Sequence, residues 1–297
     1  MTDAHPPHGA RRRALMLVNP NARRGPEALD LVPRLTAGGL DVTVEQFTSP
    51  AEVSPDIVRR AAGTDLVIVC GGDGTIASAA AGLFQAGLPM GILPLGTAND
   101  LARTLGLPLD PAVAAEVILR GKTERIDMGE VNGRAFFNVA SMGLSADLAR
   151  GLSSESKRRW GRLAYAFSAL QVLFTARPFS ARIINRQETV AVRSLQIAIG
   201  NGRHYGGGSI IHEHASIIDG HLDLYSLDPG AVWKLAFLFG AFRSGRHGLW
   251  AEVQTSKCVE FDVQTRTPRP INVDGDIVTQ TPAHFIVRPS AIEVFVP

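Results

Sequence analysis

The chain has 297 residues, of which 45% are hydrophobic, and its 30 Lys and Arg residues nearly balance 28 Asp and Glu residues, for a net charge of +2. This length is typical of about two domains, and the hydrophobic content excludes disorder over most of the chain. So small a net charge excludes the large basic field that nucleic-acid binding uses, and we therefore expect no nucleic-acid partner.

The cysteines and the first segment of the chain indicate a cytoplasmic protein. Cys70 and Cys258 are far apart in sequence and lack the spacing of zinc ligands, which predicts reduced thiols. The apolar run at residues 14–18 follows three arginines, but it is shorter than the roughly 7 to 15 residues of a signal peptide. We also expect no membrane-spanning segment, because no apolar run approaches about 18 residues.

Strands and helices alternate through the first part of the chain. Residues 1–13 contain two prolines and no apolar periodicity, which predicts a disordered tail. Strands are predicted at 14–18, 40–47, 66–70 and 91–93, and helices at 27–35, 55–62 and 76–86. Such alternation predicts a doubly wound α/β domain, which we place at residues 14–125.

Strands dominate after residue 125. They are predicted at 135–139, 181–184, 195–199, 222–227 and 259–263, with helices at 161–175 and 232–242. We therefore predict a second, mostly antiparallel β domain over residues 126–284. The last predicted strand, within residues 285–297, could return to the α/β domain and complete it.

A glycine-rich loop, Gly-Gly-Asp-Gly-Thr at residues 71–75, follows a buried strand and opens a helix. Glycines let backbone N–H groups close around a phosphate, and the helix N-terminus adds positive potential. A tight strand-to-helix turn is the alternative. Asp73 favours a ligand, because a carboxylate in such a loop repels phosphate unless a divalent cation such as Mg²⁺ lies between them. The chain contains no P-loop sequence.

The next strand is followed by a similar loop, Pro-Leu-Gly-Thr-Ala-Asn-Asp at residues 94–100. Thr97 can donate its hydroxyl to a phosphate oxygen, and Asn99 and Asp100 are plausible cap or first-turn residues. Because ligands bind at the carboxyl ends of the strands in a doubly wound sheet, both loops are candidates for one site.

Seven motifs in order resemble the lipid kinase family that contains the diacylglycerol kinase catalytic domain, with its soluble bacterial members and the sphingosine kinases. The motifs are Val-Asn-Pro at 18–20, the two loops at 71–75 and 94–100, Phe-Asn-Val-Ala-Ser-Met-Gly at 137–143, the glycine-rich segment 200–208, Asp-Gly-His-Leu-Asp at 219–223 and Val-Asp-Gly-Asp at 273–276. The resemblance covers nearly everything from about residue 14 to the end.

The resemblance implies a nucleotide-binding α/β domain and a β-sandwich, with the active site in the cleft between them. It implies transfer of the γ-phosphoryl group of ATP to a lipid hydroxyl, with Mg²⁺ as cofactor. The nucleotide-binding residues that it implies are Asn19, Thr48, Gly71, Gly72, Asp73, Gly74, Thr75 and Thr97. Thr48 could equally be a simple strand-end cap.

Acidic residues carry the remaining roles that the resemblance implies. Asp73, Asp100 and Asp127 would organise the active-site Mg²⁺, although Asp127 could also be an ordinary turn aspartate. Asp274 and Asp276 are the candidates for the general base that accepts the proton of the lipid hydroxyl. Asp276 stands where the family commonly has Glu and is one methylene shorter, and Asp274 followed by Gly is also a strong hairpin-turn signal.

A second, structural Mg²⁺ is implied at Asp219, together with the main-chain carbonyls of Ser216 and His221. The family usually has Ala-Pro-x-Ala before this motif, whereas this chain has His-Glu-His-Ala at 212–215. His212 and His214 are more readily explained as solvent-facing strand residues than as metal ligands.

A lipid at a membrane surface is the expected partner. The basic segment 157–162 and the apolar segment 233–243 could contact lipid, although the second could as well be a buried helix. We expect a cytoplasmic protein that associates transiently with membranes and has no obligate protein partner; the oligomeric state is not indicated. Diacylglycerol, phosphatidylglycerol, a sphingoid base and an isoprenoid alcohol remain open as acceptors. The alternative functions are an NAD kinase-like phosphotransferase and a non-catalytic nucleotide-binding regulator.

Overall fold

The computed structural model describes residues 11–20, 24–144, 177–205, 209–210, 215–231 and 253–297. It has two compact units, one formed by Met1–Arg125 with Ile292–Pro297 and the other by Ile126–Ala291. The predictions that lie outside the described residues are the helices at 161–175 and 232–242, the lipid-contact segments 157–162 and 233–243, and His212 and His214.

Strands and helices alternate in the first unit. The strands are β1 (Arg12–Val18), β2 (Leu40–Gln46), β3 (Leu66–Gly71) and β4 (Met90–Pro94). The helices are α1 (Gly25–Leu29), α2 (Val32–Ala37), α3 (Pro50–Arg60), α4 (Asp73–Ala86), α5 (Asp100–Thr104) and α6 (Pro111–Arg120), with a 3₁₀ turn at Ala61–Gly63. The four strands lie in the order β2-β1-β3-β4 and pair in parallel. Every residue of β3 is buried, as expected for a parallel strand covered on both faces.

The chain end lies in the first unit. Val294 pairs in parallel with Met90, and the main-chain N–H of Val296 donates to the carbonyl of Lys122 at 3.0 Å. Phe295 is buried in the core of this unit, and the guanidinium of Arg12 lies 5.6 Å from the centre of its ring. The first unit is therefore built from two separate stretches of the chain.

The second unit consists mainly of strands. They are β5 (Thr123–Val131), β6 (Arg134–Phe136), β7 (Val139–Gly143), β8 (Phe179–Ile184), β9 (Thr189–Ser194), β10 (Gln196–Gly200), β11 (His204–Tyr205), β12 (Ser209–Ile210), β13 (Leu222–Leu227), β14 (Val253–Cys258), β15 (Glu260–Thr265), β16 (Pro270–Val273), β17 (Asp276–Gln280) and β18 (Ala283–Phe295), with a 3₁₀ turn at Pro229–Ala231. Two of them extend into the first unit: β5 begins there and β18 ends there.

Two groups of antiparallel strands share one hydrophobic core in the second unit. One sheet has the order β14-β13-β10-β7-β16-β17, and in the other β18, β15, β8 and β9 are successive neighbours. Phe136, Ile197, Phe261 and Phe285 are fully buried in the common core. The predicted fold class, an α/β domain followed by a mostly antiparallel β domain, is confirmed.

The first strand begins at Arg12, two residues before the predicted start, so the predicted tail of residues 1–13 is too long. The N–H and the guanidinium of Arg13 donate to the carboxylate of Asp65 at 2.7 and 2.8 Å, which fixes the start of the strand. The hydrogen bond from Arg13 also lowers the pKa of Asp65.

Two helix predictions need correction. The predicted helix at 27–35 is divided into α1 and α2, because Pro33 has no N–H to continue a helix and instead occupies the first turn of α2. Helix α3 begins at Pro50, five residues before the predicted start at residue 55, because Ser49 and Glu52 form a capping box there.

The predicted strand at 135–139 is also divided. It forms β6 and the start of β7, because the N–H groups of Phe137 and Asn138 donate to the carboxylate of Asp274 at 2.9 and 3.1 Å. These amides are therefore used by a side chain rather than by a neighbouring strand.

Both cysteines are free thiols, as predicted. Burial raises the pKa of the Cys70 thiol. Among the residues that the structure describes, no helix is long and apolar enough to cross a bilayer.

Candidate active site

The predicted nucleotide-binding residues follow the carboxyl ends of the four parallel strands of the first unit. Asn19 follows β1, Thr48 follows β2, the Gly72-Asp73 pair follows β3 and Thr97 follows β4. Since neighbouring parallel strands end at the same edge of a sheet, these residues share one edge. The structure therefore brings the predicted nucleotide-binding residues of this unit to one side.

The two predicted loops pack against each other through glycine backbone. A Cβ atom on Gly96 would lie 2.5 Å from the Cα of Gly72, and one on Gly72 would lie 3.0 Å from the Cα of Gly96. The N–H of Leu95 donates to the carbonyl of Gly71 at 3.0 Å. No side chain fits between loops this close, so the glycines at 72 and 96 are needed for the loops to meet.

The glycine loop leads into the N-terminus of α4. Gly72 is the N-cap residue and, being glycine, offers no side chain to cap the first turn. The first turn of a helix has N–H groups without a helical acceptor. Thr75 packs over Gly71, where a Cβ atom would lie 2.6 Å from its Oγ1 atom. The N-terminus of α4 is thus arranged like the anion-binding helix ends of nucleotide-binding folds.

Asp73 connects the two loops. Its Oδ1 atom accepts a hydrogen bond from the N–H of Leu101 at 3.1 Å, so its carboxylate contacts the peptide group that joins Asp100 to Leu101. Asp100 is itself buried, with 5% of its surface exposed. Both acids therefore lie at the N-terminus of α5.

Asn99 holds the second loop closed. Its Oδ1 atom accepts from the N–H of Gly96 and its Nδ2 atom donates to the carbonyl of Gly96, both at 2.9 Å. Its φ angle of 51° is in the left-handed region, where Asn is one of the few non-glycine residues that occur readily. Asn99 is the N-cap residue of α5 and Asp100 lies in its first turn, as expected, but the Asn99 side chain closes the loop and makes no capping hydrogen bond.

Thr48 is exposed, and the capping role considered for it belongs to its neighbour. The Oγ atom of Ser49 accepts from the N–H of Ala51 at 3.3 Å, while Thr48 contributes its main-chain N–H to Glu52 at 3.0 Å. The nucleotide contact of Thr48 stays a prediction.

Asp127 lies within β5 of the second unit, so the alternative of a turn aspartate is wrong. Its carboxylate is buried and accepts main-chain hydrogen bonds from Gly220 at 2.6 Å and Ser290 at 2.8 Å. Its carbonyl accepts from the Nδ2 atom of Asn201 at 3.0 Å. These contacts connect Asp127 to the bend at Gly220 and to Ser290 within β18, and its magnesium role stays a prediction.

Asp274 and Asp276 differ sharply in their surroundings. The Asp274 carboxylate accepts three main-chain hydrogen bonds, from Phe137, Asn138 and Val139, at 2.9 to 3.1 Å. Asp274 also forms, with the following glycine, the turn between β16 and β17, and its φ angle is 46°. The side chain of Asp276 is exposed at the start of β17. Of the two, Asp276 has the more exposed side chain, and the choice of general base stays a prediction.

The Asp219 carboxylate forms an ion pair that the sequence analysis did not predict. Its Oδ2 atom lies 2.7 Å from the Nζ atom of Lys257, and its Oδ1 atom accepts from the N–H of His221 at 3.0 Å. Lys257 lies directly opposite Asp223 in the pairing of β13 with β14. Partial burial lowers the pKa of Lys257, but the hydrogen bond to Asp219 and the nearby charge of Asp223 outweigh it, so that the pKa is raised.

This ion pair opposes the predicted structural magnesium. Lys257 supplies a positive charge where the prediction places the metal ion, and the structural magnesium stays a prediction. Throughout the described ranges, no three His, Cys, Asp or Glu side chains come together as a metal-binding group. Kinase Mg²⁺ sites often use only one or two carboxylates plus substrate phosphates, so Asp73 and Asp100 still fit an active-site ion.

Both units of the chain match known protein families. Residues 13–131 match the family described as "Diacylglycerol kinase catalytic domain", and residues 138–296 match the "YegS C-terminal NAD kinase beta sandwich-like domain". A protein of Mycobacterium tuberculosis named "Diacylglycerol kinase" is 34% identical over 277 residues, covering 90% of this chain and 88% of that protein. One from Pseudomonas aeruginosa, named "Probable lipid kinase YegS-like", is 32% identical over 239 residues, covering 80% and 78%.

A solved structure has the same fold. The crystal structure of a diacylglycerol kinase from Bacillus anthracis str. Sterne superposes with a TM-score of 0.77 at 22% identity, covering 97% of each chain. The fold, the strand-end loops and the matches over both units agree, and the chain belongs to the family of lipid kinases that carries the diacylglycerol kinase catalytic domain.

Proposed function

We propose that this lipid kinase transfers the γ-phosphoryl group of ATP to the hydroxyl of a diacylglycerol-like lipid, with Mg²⁺ as cofactor. The observation that carries the proposal is the carboxylate of Asp73, which stands inside a glycine loop at a helix N-terminus and contacts the loop after the next strand. A carboxylate in that position repels a bare triphosphate and is compatible with one that carries a divalent cation.

The first unit would bind the nucleotide. The main-chain N–H groups at the start of α4 would donate to phosphate oxygens, and the exposed hydroxyl of Thr97 would donate to a neighbouring oxygen. Asn19 and Thr48, at the ends of β1 and β2, would contact the remainder of the nucleotide. The contact between Gly72 and Gly96 fixes the spacing of the two loops, so the donors are positioned before the nucleotide binds.

Asp73 and Asp100 would hold the cation from one side, with Asp127 as a further proposed acid. The cation, when bound, neutralises charge on the phosphate oxygens. The burial of Asp100 and the hydrogen bond from Leu101 to Asp73 keep these carboxylates in place, so that little reorganisation would accompany binding.

Asp276 would accept the proton of the lipid hydroxyl as that oxygen attacks the γ-phosphorus, the bond from the γ-phosphorus to the bridging oxygen breaks, and ADP leaves. Its exposed position leaves the carboxylate accessible to a substrate. Asp274 would act as a positioning residue, because its own carboxylate is occupied by three main-chain donors that fix the turn preceding Asp276.

The acceptor is proposed to be diacylglycerol, since several relatives with similar sequences are named for that activity. Its phosphorylation would place the protein in phospholipid biosynthesis, working from the cytoplasm with transient association at a membrane. Phosphatidylglycerol and sphingoid bases share the hydroxyl chemistry and serve as competing acceptors in the test.

The proposal is tested with γ-labelled ATP offered to the purified protein with mixed vesicles of the three lipids, and separately with NAD. Label in phosphorylated diacylglycerol, dependent on Mg²⁺, is the expected result. Label confined to another lipid would correct the acceptor, label in NADP would favour an NAD kinase, and ATP binding without any labelled product would favour a regulator. Mass spectrometry of the labelled product identifies the acceptor.

A further inference from the structure

Exposed arginines cluster on the outer face of three strands of the second unit. Arg182 on β8 lies between Ala181 and Ile183, which are buried in the core, and it therefore points away from the core. Arg193 alternates in the same way on β9, and Arg266 follows the end of β15; both are exposed. We call these three residues the arginine face.

The strand register brings these arginines together. Arg182 stands opposite Ala191 on β9 and Gln264 on β15, while Arg193 stands opposite Ser180. Arg182 and Arg193 are therefore diagonal neighbours, a spacing of about 7–8 Å between strands. The side chains of the arginine face line a groove of about 550 Å³ whose other walls are short or neutral residues.

Within the part of the chain that the structure describes, the strand segments at this end of the sheet contain no acidic residue. The segments 177–182, 191–196 and 264–270 contain five arginines and neither Asp nor Glu. One of the five, Arg269, packs over the ring of Phe179, with 4.9 Å between its guanidinium carbon and the ring centre. For the arginine face, none of the described residues provides a carboxylate within ion-pair distance.

At the opposite ends of the same strands, the basic side chains lie next to carboxylates. Arg186, just beyond β8, pairs with Glu260 at 2.7 Å, and His284 lies 3.0 Å from Asp262. The positive charge is thus concentrated at one end of these strands in a chain whose net charge is only +2. Like charges held this close repel each other, and an external anionic partner would relieve the repulsion.

We propose that the arginine face docks the protein on an anionic phospholipid surface. The proposal rests on the proposed function, because a lipid acceptor lies in a membrane. Guanidinium groups bind phosphate with two parallel hydrogen bonds, and lipid headgroups present phosphates at high density. The groove is open, and its lining includes no Leu, Ile, Met or aromatic side chain, so contact with headgroups fits it better than insertion of acyl chains.

The test is co-sedimentation of the full-length protein with phosphatidylglycerol vesicles and with neutral phosphatidylcholine vesicles. The variant carries Arg182→Gln, Arg193→Gln and Arg266→Gln. Since each cation near an anionic surface contributes about 1 kcal/mol, the triple variant should partition about a hundredfold more weakly. Binding of the wild type should fall steeply between about 0.1 M and 1 M salt, because the screening length shrinks from about 10 Å to about 3 Å.

A matched control removes the same number of exposed charges elsewhere: Arg11→Gln, Arg120→Gln and Arg134→Gln. It should bind like the wild type, because the effect is local. Unchanged binding of the arginine-face variant, equal loss in both variants, or wild-type binding to a DNA oligonucleotide but not to vesicles would each overturn the proposal. Circular dichroism melts confirm that both variants are folded.

A kinase assay separates this proposal from the proposed function. With a short-chain, monomeric diacylglycerol, the arginine-face variant should retain wild-type turnover, while its turnover on phosphatidylglycerol vesicles containing diacylglycerol should fall in parallel with its binding. Vesicle binding without any kinase activity would contradict the proposed function and leave the docking surface standing. Kinase activity that is equal for both proteins on both substrates would contradict the docking surface alone.

Discussion

Asp274 and Asp276 are only two positions apart, but they differ in their main-chain contacts. The Asp274 carboxylate accepts hydrogen bonds from three main-chain N–H groups at 2.9 to 3.1 Å, whereas the side chain of Asp276 is exposed. Three donors directed at one anion stabilise the charged form and the local fold. This contrast supports the proposal that Asp276, and not Asp274, accepts the proton of the lipid hydroxyl.

Replacing each by asparagine separates the two roles. Asp274→Asn should lower the free energy of unfolding by about 2–3 kcal/mol, because an amide group would face donors that need an acceptor. Asp276→Asn should leave that free energy within about 0.5 kcal/mol of the wild type, as expected for an exposed site, while abolishing phosphoryl transfer. Urea unfolding and a kinase assay measure the two quantities. Full turnover in Asp276→Asn would remove this residue from the proton-transfer step.

Residue identity alone could predict some of these roles and not others. Asp73 is conspicuous in the sequence, because a carboxylate in a glycine-rich loop would repel a phosphate bound there. The choice between Asp274 and Asp276 was open, since it depends on which carboxylate the 137–139 amides contact. Lys257 gave no sequence signal, because its partner Asp219 is 38 residues away and they meet only through the β13–β14 pairing.

At the scale of elements, the contact between two strand-end loops is the feature on which the proposed nucleotide site depends. An added Cβ on Gly96 would meet the Cα of Gly72 at 2.5 Å on one side and the Oδ1 of Asn99 at 2.7 Å on the other. Neither neighbour can move away easily, because one is backbone and the other is fixed by two hydrogen bonds to Gly96.

Gly96→Ala should therefore lower the free energy of unfolding by about 1–3 kcal/mol, the usual cost of overpacking, and weaken ATP binding by separating the loops. Gly63→Ala is the control, because a Cβ there meets nothing within 4 Å; it should be neutral or raise stability by up to about 1 kcal/mol. Urea unfolding and calorimetric ATP titration give both quantities. An unchanged ATP affinity in Gly96→Ala would show that the spacing of the loops is not critical.

The pairing of β13 with β14 leads to a second prediction at the scale of elements, which concerns the effect of removing metal ions. Lys257 stands between Asp219 and Asp223, so the nucleotide-free wild type should melt at the same temperature in EDTA and in millimolar Mg²⁺. Lys257→Gln should lose about 1 kcal/mol of stability, since a half-exposed ion pair contributes little, and should regain stability with Mg²⁺, because Asp219 and Asp223 both lose a nearby positive charge.

Arg186→Gln is the matched control, because it breaks another cross-strand ion pair of the same unit, with Glu260. This variant should melt near the wild-type temperature and be indifferent to Mg²⁺. The opposite outcome, a wild-type melting temperature that rises with Mg²⁺ and an Asp219→Asn variant that does not respond, would restore the structural magnesium site.

At the scale of the whole molecule, the first unit depends on the last residues of the chain. Phe295 is buried in its core, and Val294 adds a parallel pair next to β4. The fold class could be predicted because the buried β-branched strands at the start and the alternating strands after residue 125 have distinct periodicities. The division of the strand at 135–139 could not, because it depends on a carboxylate more than 130 residues away.

Phe295→Ala tests the role of the chain end. Removing a fully buried aromatic ring typically costs about 3–5 kcal/mol, and that loss should appear in urea unfolding of the full chain. Phe84→Ala is the control: the side chain is 50% exposed, and the change should stay within about 0.5 kcal/mol. Equal, small losses in both variants would mean that the C-terminal strand is dispensable for the first unit.

Asp73 should tolerate a triphosphate only through Mg²⁺, and calorimetric titration of ATP with and without Mg²⁺ tests this most directly. Asp73→Asn keeps an oxygen to accept from Leu101 and removes only the charge. The wild type should bind ATP at least about tenfold more tightly with Mg²⁺ than in EDTA, a difference of about 1.4 kcal/mol, and the variant should show little of this difference and no phosphoryl transfer. Equal wild-type affinity in the two conditions, or near-normal turnover in Asp73→Asn, would contradict the account.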